Sequence, residues 1–166
     1  MKNSLLPLIL LTCLGAQSCR TYLNKLDNRH QSRYFPVEYA NIYLGIPLAE
    51  AKIIRPAMNQ TDGSDSLHLQ FSEYIGRNEI ESTLYFFNKT LTSQPLERMV
   101  IEFETVEETQ KLIRWRYGKP NNEEGQWTFD SKEGFMMDIS TNGKTITIEK
   151  EQEATKPTDP PAEGPK

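Results

Sequence analysis

Cysteine and histidine are scarce in this chain: 166 residues contain two of each, Cys13 and Cys19, His30 and His68. A disulfide framework needs several paired cysteines, and a metal centre needs converging ligands, so neither is expected. The two histidines read as surface residues. A basic stripe is also missing. The net charge is −4, and nucleic-acid binding depends on clustered Lys and Arg, so no nucleic-acid partner is expected. No apolar run is long enough to span a bilayer as a helix, which takes about 20 residues. No serine sits in a Gly-x-Ser-x-Gly setting, and no cofactor motif occurs, so neither catalytic residues nor cofactors are expected.

The start of the chain reads as an export signal. Lys2 supplies a positive start, Leu5 to Leu14 an apolar stretch, and Ala16-Gln17-Ser18 small residues three and one positions before a cut. Residues 1–18 therefore read as a cleavable signal peptide. Cys19 follows directly. Leu14 to Cys19 resembles the lipobox of bacterial lipoproteins, with Ala16 and Ser18 at the small positions and Gln17 as a departure from the pattern. That resemblance implies acylation of Cys19 and a membrane anchor. It also removes the lone thiol that cleavage would otherwise leave in an oxidising compartment, because Cys13 departs with the signal. The expected location is the cell envelope, with an envelope protein as a possible partner.

Residues 19–36 are polar and read as a tether, with Tyr34, Phe35 and Pro36 docking onto the domain. Residues 151–166 are rich in proline and charge and read as a disordered tail. Between them, 37–150 forms one domain with repeat-like units at about 45–104 and 105–149. In the first unit, Pro47 opens a helix over Leu48 to Arg55, and Pro56 stops it. Strands follow at Leu67 to Phe71, at Ile80 to Phe87, and at Met99 to Phe103, where apolar residues recur with period two. In the second unit, Thr105 and Glu108 form a capping box, and Val106, Ile113 and Tyr117 make a stripe with Leu112 at its edge. Gly118 closes this helix and Pro120 lies beyond it. Strands are expected at Gln126 to Phe129, Phe135 to Ile139 and Thr145 to Glu149, with Asn142-Gly143 as a type I′ hairpin turn. The expected fold class is α+β: two helix-β-β-β units, an antiparallel sheet with helices packed on one face.

That doubled layout resembles the β-lactamase-inhibitor-protein-like superfamily, which includes SmpA/OmlA-type small envelope lipoproteins. Those often carry Leu-Gly-x-Pro after a helix and Trp on the next strand. Tyr117-Gly118-Lys119-Pro120 and Trp127 occupy these places here, with Tyr for Leu. In the first unit Arg55-Pro56 and Leu67 are weaker counterparts. The resemblance covers about 105–149 and implies a non-enzymatic role in binding other envelope proteins.

Other side chains offer less. Asp62 and Asp65 lie with Gly63 in a loop that lacks the ligand density and closing Glu of a calcium site. Glu102, Glu104, Glu107 and Glu108 form an acidic run; the last two suit a first helical turn. Asn59-Gln60-Thr61 and Asn88-Lys89-Thr90 match a glycosylation sequon; in a bacterial chain this carries no meaning, and in a eukaryotic secreted one both would be loop sites. Trp115, beside Arg114 and Arg116, falls off the helical stripe and is a candidate binding anchor. Tyr85 and Phe87, opposite in sense to Leu84 and Phe86, complete the candidate surface; the competing reading has the tether packed over it. Non-catalytic binding of a protein or glycan is the expected function. The alternatives are an inhibitor or immunity-type protein that blocks an enzyme, and a carboxylate-based hydrolase.

Overall fold

The computed structural model describes residue 31, residues 33–131 and residues 133–151. The expected signal peptide, Cys19, His30, most of the expected tether and the expected tail beyond Glu151 lie outside the described residues. In chain order the elements are a 3₁₀ turn Val37–Tyr39, helix α1 Leu48–Ile54, strands β1 Asn59–Gln60, β2 His68–Arg77, β3 Ile80–Asn88 and β4 Leu96–Phe103, helix α2 Val106–Arg116, and strands β5 Trp127–Asp130, β6 Met136–Asn142 and β7 Thr145–Lys150.

All seven strands join one antiparallel sheet in the order β1-β2-β3-β4-β7-β6-β5. Helix α2 carries the chain from the centre of the sheet to its far edge, and β5, β6 and β7 then step back until β7 pairs with β4. One core serves the whole sheet. Its strand residues alternate as period two requires: Phe71, Thr83, Tyr85, Phe87, Met99, Ile101, Trp127, Met137, Ile139, Ile146 and Ile148 are buried. The opposite face carries Ser72, Ser82, Arg98, Thr147, Glu149 and Asp138, all half-buried.

The expected α+β class is corrected by what covers the core. The sheet dominates the described residues, and helices do not form the covering layer. Helix α1 has seven residues and buries only Leu48 and Ala51. Helix α2 crosses β4 and β7, but only Thr109 within it is buried, and Val106 of the expected apolar stripe is exposed. Much of the cover is irregular chain. Tyr34, Phe35, Tyr39, Ile42, Leu44 and Ile46 are buried in succession, pinned by Leu44 N–H to Gln31 Oε1 (2.9 Å), Gly45 N–H to the Leu96 carbonyl (2.7 Å) and Leu96 N–H to the Ile46 carbonyl (2.9 Å). Such a strap buries large side chains while pairing its backbone groups piecemeal, so it has no period to betray it.

Local signals explain the ends of α2. Thr105 Oγ1 accepts from Glu108 N–H at 3.3 Å, and Gly118, at φ 68°, lets its own N–H and that of Tyr117 meet the Ile113 carbonyl. The last hairpin differs from its expected type. Asn142 pairs with Thr145, so Gly143 and Lys144 are the central residues, and positive φ falls on Gly143 alone, the pattern of a type II′ turn. The type I′ pattern occurs instead between β2 and β3, where Asn78 and Glu79 have φ of 53° and 68°.

Candidate functional site

The three residues expected to form a binding surface separate. Tyr85 and Phe87 are fully buried, because the side of β3 that faces the strap is theirs; this corrects their assignment to an exposed face. Tyr85 donates its hydroxyl to Glu73 Oε2 at 2.8 Å, and Phe87 meets Phe71 edge-on at 5.6 Å between centroids. Burial pushes the Tyr85 phenol up from its ordinary value. The outward aromatic on β3 is Phe86, which lies under the Arg98 guanidinium at 3.9 Å. Trp115 stays outside, 79% exposed.

Trp115 stands at the lip of a groove of about 390 Å³. Its apolar lining is Ile80 and Phe103 from β3 and β4, Leu112 and Trp115 from α2, and Val37 from the 3₁₀ turn. Val37 is 71% exposed, so two of the apolar residues that line the groove, Val37 and Trp115, stand in water. The α2 members explain themselves by spacing: Glu108, Lys111, Leu112 and Trp115 recur at i, i+3, i+4 and i+7 and so share one helical face. The 3₁₀ turn is held by Arg55, whose guanidinium donates to the Glu38 carbonyl at 3.2 Å, and by Tyr39, whose hydroxyl bonds Thr83. Burial pushes Tyr39 up to about 12.

The rim is charged with both signs. Asn78 Nδ2 donates to Glu38 Oε1 at 2.7 Å. Lys111 Nζ lies 3.2 Å from Glu108 Oε2 and 3.7 Å from Glu79 Oε1. The neighbouring Glu108 carboxyl raises Glu79 above its ordinary value, Glu79 and Lys111 lower Glu108, and the Glu108 and Glu79 carboxylates raise Lys111. At the far end Arg116 donates to the Arg33 carbonyl at 2.9 Å, and its guanidinium lies 5.4 Å from the Trp115 ring centre. Its Nε is buried with no partner among the described residues.

The remaining candidates are built into the scaffold. Asp65 Oδ1 accepts from Leu67 N–H (2.7 Å) and His68 N–H (2.6 Å); these bonds, His68 first, lower its carboxyl to about 2. His68 spreads its two ring nitrogens between Asp65 (3.2 Å) and Glu97 (3.3 Å) rather than aiming them at one point. Glu102 accepts from Ser82 Oγ at 3.1 Å on the open face, away from Glu108 in the groove. Among the described residues no three His, Cys, Asp or Glu groups could hold a metal, and no helix is long and apolar enough to cross a membrane. The β5 edge is blocked against strand addition, since the Asn121 amide occupies the Thr128 N–H (2.8 Å) and carbonyl (2.9 Å).

Sequence reasoning missed Val37, Glu38, Asn78, Glu79 and Lys111. The i, i+3, i+4, i+7 row ending at Trp115 was the available signal for the helical wall; nothing local brings Val37 to face it. No family model, curated protein or solved structure matches the chain.

Proposed function

We propose that this chain is an exported cell-envelope lipoprotein, anchored through Cys19, whose domain binds a protein partner without catalysis, and that the groove beside Trp115 is the binding site. One observation carries the reading: a tryptophan 79% exposed to water stands over an apolar groove. Exposing an indole forgoes hydrophobic stabilisation of about 2 kcal/mol or more, and Trp at the centre of a contact is a common binding anchor. The apolar floor with a rim of mixed charge suits a protein surface.

The other readings lose support. An inhibitor with an outward aromatic face would use Tyr85 and Phe87, which are buried. A glycosidase-type hydrolase needs two carboxyl groups positioned about 5–9.5 Å apart; two of the groove's carboxyl groups, Glu79 and Glu108, are instead both tied to the Lys111 ammonium, at 3.7 and 3.2 Å.

Trp115→Ala tests the reading. Its urea midpoint should stay close to that of the unsubstituted chain, while affinity for the envelope partner falls by about 2 kcal/mol or more. Unchanged partner affinity would reject the groove as the site.

A further inference from the structure

We propose that the occupant of the groove is a second copy of this chain, docked through α2 about a two-fold axis. This rests on the reading of the groove as a protein-binding site and names its partner. A surface that binds itself must be complementary to its own rotated image. The groove face of α2 meets that requirement. Glu108 lies in its first turn, Arg116 in its last and Leu112 midway, four residues from each. Two such helices laid antiparallel with the axis at Leu112 place Glu108 of each copy opposite Arg116 of the other, about 12 Å apart along the helix, and Leu112 against Leu112. The helix dipoles then also oppose favourably.

The apolar parts match by the same rotation. Trp115 lies three residues past the axis, so it falls over the first half of the other α2, where the other groove has Lys111, Glu79 and the floor of Ile80 and Phe103. Each copy thereby supplies the indole that fills the other's groove, with a cation beside its ring. Arg116 has a buried Nε without a partner among the described residues, while its guanidinium donates to the Arg33 carbonyl at the surface and lies 5.4 Å from the Trp115 ring centre, where the incoming Glu108 would meet it. A second copy carries this charge order necessarily.

Sedimentation equilibrium of the full chain bearing Cys19→Ser tests the proposal. The chain should dimerise with a dissociation constant on the order of tens of micromolar, as suits a small patch. Glu108→Arg and Arg116→Glu should each weaken association at least about tenfold, because like charges then face each other. An equimolar mixture of the two variants should associate again, since each helix regains opposite charges across the axis. Arg116 also holds the Arg33 carbonyl, so Leu112→Cys, with Cys13 and Cys19 replaced by Ser, gives a second measurement that leaves the charges alone: it should form a disulfide-linked homodimer under mild oxidation. A chain that stays monomeric at millimolar concentration, a mixture no more associated than either variant, or Leu112→Cys chains that do not join would overturn the second-copy inference. If the chain is monomeric while the groove still cross-links to a different envelope protein, the inference fails and the binding reading stands. If nothing cross-links at the groove, both fail.

Discussion

Arg55 Nε and Glu73 Oε2 meet at 2.8 Å beneath the sheet, with side chains 10% and 8% exposed. The pair joins the residue that ends α1 to the middle of β2. Tyr85 donates to the same carboxylate oxygen, and the other arm of Arg55 holds the carbonyl of Glu38. One buried charge pair therefore fixes both the irregular strap over the core and the wall of the groove that carries Val37.

Removing one partner should be costly. Arg55→Met leaves the Glu73 carboxyl buried without its cation, and should destabilise the domain by about 3–5 kcal/mol. Adding Glu73→Leu removes the stranded carboxyl and should recover much of the loss. It should stop short of the original stability, because the Tyr85 hydroxyl then lacks an acceptor, at about 1–3 kcal/mol. Urea unfolding of the single and double variants checks the order; Arg55→Met within about 1 kcal/mol of the parent would show that the pair does not hold the strap.

Glu79 occupies a left-handed turn position that glycine fills more easily, and its carboxylate lies in the groove rim. Glu79→Gly should stabilise the fold by about 1 kcal/mol, through relief of the positive-φ penalty. The same change should weaken partner binding. A variant that gains stability and keeps full affinity would show that the rim carboxylate has no part in binding.

Asp65 gives a pH dependence with a definite sign. Its folded value of about 2 lies below the ordinary 3.8, so its contribution is fully present above about 4 and is lost as pH falls toward 2. The denaturation midpoint should therefore drop across that window. Asp65→Asn should show a shallower drop, since the amide keeps an acceptor but does not titrate. Parallel slopes for the two proteins between pH 4 and pH 2 would contradict the assignment.

Strand positions were largely readable because alternation in β2, β3 and β4 is regular and the Thr105 cap marks where α2 starts. The period does not say which face is inside: Tyr85 and Phe87 alternate with Leu84 and Phe86 as well in one sense as in the other. The choice is made by the strap, whose Tyr39 pairs with Thr83 across 44 residues of sequence. Arg55 and Glu73 are 18 residues apart, and neither carries a local mark of its partner. The helical wall of the groove was visible as spacing, but its opposite wall depends on tertiary packing alone. Two-residue β1 is too short for any periodic signal.

Site-specific photo-cross-linking in living cells bears most directly on the central claim, that the groove beside Trp115 is a protein-binding site. A photoreactive phenylalanine analogue is placed at Lys111, on the groove face of α2, and separately at Thr147, on the open face of the sheet. A discrete protein adduct is expected from position 111, abolished by Trp115→Ala, and none from position 147. An adduct from position 147 with none from position 111 would contradict it.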